Sequence, residues 1–164
     1  MKIRIPSAAY HEAGHAVVAV VLGMHVTVVS IEAKGLPSAW RLRGGVLADF
    51  DHEGAENRDD AERAATAGLA GEQAERLWSR LKPWRLVKSS RHASLAGDRA
   101  YVTEMLRPFI RNSAEKQRTI GRLKKAARIL LEKHWNSVEV LAAKLAVRKA
   151  LRGAEVKRLV APKR

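Results

Sequence analysis

The sequence predicts a mainly α-helical domain with a small β-sheet. Three observations predict it: an apolar run of helix length at Ala8–Gly23, alanines and leucines at helical spacing from Asn57 to Leu81 and again beyond Ser113, and one β-branched cluster at Val26–Ile31. With 164 residues, 46% of them hydrophobic, the chain is long enough to bury one core. A single domain spanning 1–164 is expected.

Each element has a local reason. Ser7, after Pro6, is placed as the N-cap of a first helix that runs to Gly23. Val26, Val28, Val29 and Ile31 suit a strand that ends at Lys34-Gly35, and Gly45 to Phe50 suits its return strand. From Asn57 to Leu81, Ala61, Ala64, Ala65, Gly68, Leu69, Gln73 and Leu77 fall on one side of a long amphipathic helix. Pro83 follows its end, and Lys82 to Ser94 reads as a loop. Ser94 is the expected cap of a helix reaching Leu106, broken at Pro108. Two helices close the chain, Ser113–Trp135 and Asn136–Arg152; Asn136 and Glu139 form a capping-box-like pair, and Gly153 reads as the stop. No internal repeat interrupts this order.

Composition removes several kinds of chemistry. The chain has no cysteine, so disulfides, thiolate metal sites and a cysteine nucleophile are excluded, and a reducing cytoplasm is the expected setting. Any metal must be held by histidines and carboxylates. The longest apolar run, Ala16–Met24, is too short to cross a bilayer, and Glu12 with its neighbouring histidines spoils the region that a signal peptide would keep clean. No membrane span is expected. Charge is divided unevenly: residues 1–79 carry 8 Lys/Arg against 11 Asp/Glu, net −3, whereas residues 80–164 carry 23 against 6, net +17. A basic half of this size suits nucleic acid, anionic lipid or an acidic protein partner, or serves solubility alone. Trp40, Trp78, Trp84 and Trp135 show no spacing among the basic residues and read as packing residues.

The stretch AAYHEAGHAVVAVVLG, Ala8–Gly23, sets His11, Glu12 and His15 in surroundings that are otherwise apolar. Residues four apart share a helix face, so the two imidazoles can point at one place, with Glu12 at its rim. This is the HExxH arrangement: two histidines hold zinc, the ion lowers the pKa of water toward about 7, and the glutamate takes the proton. A helix apolar on nearly all sides is buried, and buried histidines beside a buried carboxylate cost several kcal/mol unless paired. A metal supplies that pairing. Gly14, unfavourable inside a helix by about 1 kcal/mol, marks close packing. Two histidines leave a catalytic zinc short of a protein ligand. Glu75, Asp98, Glu104, His92 and the acidic cluster Asp49–Asp60 are all available as the third, and composition does not choose among them.

HEAGHA with its Val-rich continuation resembles the peptidase domain of the FtsH family of membrane-anchored, ATP-dependent zinc proteases. The likeness extends to the strand Val26–Ile31 followed by Gly44-Gly45, to AGLAGEQAERL at 67–77, to SLAGDRAYVTEML at 94–106, and to the closing stretch from Ala126 to Val160. It covers most of the chain and implies an FtsH-peptidase-like helical fold. The segment at 94–106 resembles the one that begins at the family's third zinc ligand, an aspartate with a threonine five residues later, here Asp98 and Thr103. The resemblance therefore implies a Zn²⁺ held by His11, His15 and Asp98, with Glu12 as general base, and leaves Glu75 as the second choice of ligand. It also implies that the strand Val26–Ile31 is either a peptide-binding edge or a core strand.

No Gly-x-x-x-x-Gly-Lys phosphate loop occurs in the sequence. The expected activity is an ATP-independent endopeptidase acting on a flexible polypeptide substrate, with further copies of the chain, a separate ATPase or an acidic protein as partners. The contrasting expectation is a non-catalytic zinc domain whose basic half binds nucleic acid or an acidic protein.

Overall fold

Helix α1 (Ser7–Val21) is buried from Ala9 to Ala19 because alanine, valine and glycine leave it small and apolar on nearly every side. A helix of that kind needs neighbours all round, and the rest of the chain supplies them. The structure, a computed structural model, describes residues 5–32, 45–48, 55–81 and 91–161, with the backbone alone for 45–48 and 91–96. Strands β1 (Val26–Ser30) and β2 (Gly45–Ala48) follow α1, then helices α2 (Arg58–Leu81) and α3 (Arg91–Leu106). A 3₁₀ turn at Arg107–Phe109 leads to α4 (Ser113–Lys133), α5 (Trp135–Arg148), strand β3 (Ala150–Arg152) and α6 (Gly153–Val160). The architecture is mainly helical with a small antiparallel sheet, as the sequence predicts.

Helix α1 packs most extensively on α2 and next on α5, and it also touches α4, α6 and the sheet. Its main core includes Val17, Val18, Ala70, Ala74, Leu131, Leu141, Leu145 and Leu151. Each fully buried valine or leucine there is worth about 1.5–3 kcal/mol over its exposed state. Tyr10 stacks on Trp78 at a centroid distance of 5.1 Å and on Trp135 at 6.0 Å, so one ring of α1 ties together α2 and α5. Both tryptophans are packing residues, while Trp40 and Trp84 lie outside the described residues. A second core, Ala61, Ala65, Leu69, Val102, Leu106 and Leu123, joins α2 to α3 and α4.

The helix starts differ from expectation in instructive ways. Pro6 takes the N-cap position of α1, and Ser7 is its first helical residue. Helix α3 begins at Arg91, before Ser94, so Ser94 is inside the helix and is no cap. Asn136 also lies inside its helix. A capping-box-like pair is instead at the start of α4: Asn112 Oδ1 accepts from Glu115 N at 2.9 Å, and Glu115 Oε2 accepts at 3.0 Å from the N–H of Arg111, the residue before the cap.

The last part of the chain departs most. Helix α5 ends at Arg148, and Lys149 turns the chain with φ 68°, its N–H bonded to the Leu145 carbonyl at 2.9 Å. The next three residues form β3, which pairs antiparallel with β1 through Val28↔Arg152, Val29↔Leu151 and Ser30↔Ala150. The sheet order is β2-β1-β3, so β1 is a central strand with both sides paired and cannot be a peptide-binding edge. Gly153 does not stop a helix; it begins α6, which lies on β1. A Cβ at Gly153 would fall on the Val26 carbonyl oxygen, a backbone atom with no freedom to move aside. Gly153→Ala is accordingly expected to destabilise the fold by about 3 kcal/mol or more, which differential scanning calorimetry would register as a melting point lower by roughly 10 °C. A melting point within a degree of the parent would contradict this packing.

Candidate metal centre

Two glycines let α2 approach its neighbours. A Cβ on Gly14 of α1 would lie 2.5 Å from Ala74 Cβ and 2.9 Å from the Ala70 carbonyl oxygen, so α1 and α2 cross backbone against backbone. A Cβ on Gly68 would lie 3.0 Å from Tyr101 and Val102, which brings α3 close to the same helix. Gly14 thus marks a tight crossing, as expected. The residue that sequence reasoning missed is Gly71. A Cβ there would collide with His15 Nε2 and lie 2.7 Å from His11 Nε2. The histidines fit only because α2 presents bare backbone to them.

Within that space, three side chains from two helices converge. His11 Nε2 and His15 Nε2 are 3.0 Å apart, and Asp98 Oδ2 of α3 lies 3.0 Å from the first and 3.4 Å from the second. His11, His15 and Asp98 each offer a ligand atom, all within 4.8 Å of one another, and both histidines are buried. His15 Nδ1 is 2.7 Å from the Ala67 carbonyl. In the neutral tautomer Nδ1–H donates to that carbonyl and leaves the Nε2 lone pair directed at the common point.

The arrangement fits a cation better than it fits internal hydrogen bonding. Asp98 Oδ2 is buried and close to two imidazoles, yet it makes no well-directed hydrogen bond. Two imidazole nitrogens and one carboxylate oxygen form a set of three protein ligands that suits zinc with one position open. The charges agree. Burial disfavours the charged form of His15, but the Asp98 carboxylate overrides it and pushes the imidazole up to about 9. Burial likewise works against the Asp98 carboxylate, and the two histidines hold it well below the usual carboxylate range. This carboxylate is built to face positive charge.

Glu12 is 6% exposed, and its Oε2 has no hydrogen-bond partner. Burial pushes its carboxyl up to about 7, against the pull of His15 and His11. A proton acceptor poised near neutrality is what general base catalysis uses.

The other candidate ligands fall elsewhere. Glu75 lies behind His11, its Oε1 3.8 Å from Nδ1, the nitrogen turned away from Asp98. Glu104 is exposed and paired with Arg107 at 2.8 Å. Asp60 helps cap the start of α2 through Asn57, while Asp49, Asp51, Glu53 and the side chain of His92 are outside the described residues. Among the basic residues, Arg122 pairs at 2.7 Å with Glu62 of the acidic half, so part of the positive excess is met within the fold, while Arg128 pairs with Glu132 of its own half at 2.8 Å. Comparison with known proteins finds no matching family model and no matching curated protein.

The geometry separates Asp98 from Glu75 experimentally. Removing an outer partner of a metal-binding histidine costs roughly 10–100-fold in metal affinity. Asp98→Ala is expected to cost more than that, and Glu75→Ala no more, when zinc affinity is measured by chelator competition. The reverse order would exchange their roles.

Proposed function

We propose that this chain is an ATP-independent zinc-dependent endopeptidase, in line with its resemblance to the FtsH peptidase domain. The observation that carries the reading is the meeting of Asp98 with His11 and His15 at one buried point, beside Glu12. His11, His15 and Asp98 would hold the ion. When bound there, zinc acts as a Lewis acid toward a peptide carbonyl and makes water acidic enough to lose a proton near neutral pH. Glu12 takes the proton of the attacking water and passes it to the leaving amide nitrogen as the C–N bond breaks and a C–O bond forms. Ala67 and Gly71 support this from α2: the first holds the His15 ring through Nδ1, the second leaves room for both imidazoles.

The proposed substrate is a flexible polypeptide. No helix among the described residues is long and apolar enough to cross a membrane. A cytoplasmic setting accords with the absence of cysteine. The test is hydrolysis of casein by purified protein, with zinc content measured alongside. About one zinc per chain is expected, with cleavage that stops on chelation, returns with zinc and proceeds with ATP omitted. Stoichiometric zinc without cleavage of any unfolded substrate would make the site structural and sink the proposal.

A further inference from the structure

Beside the metal centre, one carboxylate draws cations from three helices. Glu72, next to Gly71 on α2, is 9% exposed. Its Oε1 accepts from Arg76 Nη2 at 2.6 Å, one turn along α2, and its Oε2 lies 3.6 Å from Lys124 Nζ of α4. Arg99 of α3, the residue after Asp98, adds a third positive charge to the field at the same group. Burial alone would raise the Glu72 carboxyl, but Lys124, Arg76 and Arg99 together hold it below its ordinary value.

One carboxylate neutralises one cation, so this cluster keeps an excess of two positive charges. The excess faces outward. The Arg76 side chain is 63% exposed and that of Lys124 34%, and Arg99 is exposed as well. Like charges gathered over one buried anion repel one another; the buried carboxylate needs one partner, and each further exposed cation returns only about 0–1 kcal/mol of stability. Stability does not account for three of them. Their position is more telling, because Glu72 adjoins Gly71 and Arg99 adjoins Asp98, the two points where α2 and α3 form the metal centre.

Resting on the peptidase reading above, we propose that Arg76, Arg99 and Lys124 form a rim that binds a carboxylate of the polypeptide substrate next to the scissile bond. Guanidinium groups suit this task, since their fork of donors matches a carboxylate. The carboxylate comes from an acidic side chain or from the end of a chain. Both present the same group, and the test distinguishes them.

Fluorescence polarisation on zinc-loaded Glu12→Gln protein measures binding without turnover. Four labelled peptides of equal length serve as probes: one with a central Asp-Glu pair and an amidated end, one neutral with a free terminal carboxylate, one neutral and amidated, and one with a central Lys pair and an amidated end. At least one carboxylate peptide is expected to bind about tenfold tighter than the neutral amidated one, the worth of one charge-assisted hydrogen bond. Which of the two does so identifies the source. The advantage should shrink in Arg99→Gln and Arg76→Gln, both exposed, and in the half-buried Lys124→Gln, and should weaken with salt. Equal affinity for all four peptides, a preference for the Lys pair, or an advantage untouched by these substitutions would overturn the rim. Cleavage by the unsubstituted protein is read separately. If carboxylate binding persists but nothing is cleaved, the peptidase reading fails and the rim stands; if cleavage occurs without preference, the rim alone fails.

Discussion

Glu12→Gln is expected to retain its zinc and lose its hydrolysis. Glutamine has the shape of glutamate and keeps a polar group at the same place on α1, but its amide does not take up a proton. Positioned acid–base catalysis contributes about 10²- to 10⁴-fold in rate, and a loss of that size in casein or peptide cleavage is the expected result. His11, His15 and Asp98 are untouched, so metal content should stay at the parent level. The variant should also fold well, because it exchanges a carboxylate that burial disfavours for a neutral group. Parent-like cleavage by this variant would remove Glu12 from the mechanism. Loss of zinc together with activity would instead make Glu12 part of the ligand set.

Gly71→Ala is the second large effect, and it acts on the metal without altering any ligand. The added methyl would occupy the space of His15 Nε2 and crowd His11 Nε2. Helix α2 has no room to retreat as a body, since it is held against α1 at Gly14 and against α3 at Gly68. The imidazoles must therefore turn away, and the point they share with Asp98 is lost. Alanine is itself the better helix former by about 1 kcal/mol, so α2 should persist. Thermal melts with and without zinc separate the two effects. At zinc a hundredfold above its dissociation constant, the parent gains about 2.7 kcal/mol from binding. Gly71→Ala should show a normal helical spectrum and no such gain. A zinc-dependent rise equal to the parent's would mean that the histidines do not lie against Gly71.

These two residues also show what a sequence does and does not disclose. Glu12 is legible because its partners are local: His11 and His15 lie one turn apart, and the helical repeat alone brings them together. Asp98 is distant along the chain, and no periodicity links it to them. The family resemblance nominated it, and the packing of α3 on Gly68 brings it to the histidines. Gly71 gives no signal in the sequence, because its purpose depends on what faces it. The same contrast holds for the fold. Helices α1, α2 and α4 follow from apolar spacing, whereas Ala150–Arg152 is too short to read as a strand and reads as the end of the last helix. It becomes one because β1 has an unpaired side at that point. Gly153 has the composition of a helix end but the role of a contact.

The pairing of β1 with β3, and the packing of α1 on α5 and α6, also govern the order in which the molecule can be made. At a synthesis rate of about 5–20 residues per second, roughly 7–28 seconds separate the appearance of Val21 from that of Val160. Throughout that interval the helix bearing both histidines lacks its last covering elements, and its alanine and valine surface is a target for chaperones. Contacts between residues so far apart in sequence raise the contact order and slow the final folding step. The nascent chain therefore carries His11 and His15 long before the packing that gathers them with Asp98, and the proposed peptidase would become competent only after its own unfolded, cleavable stage has passed.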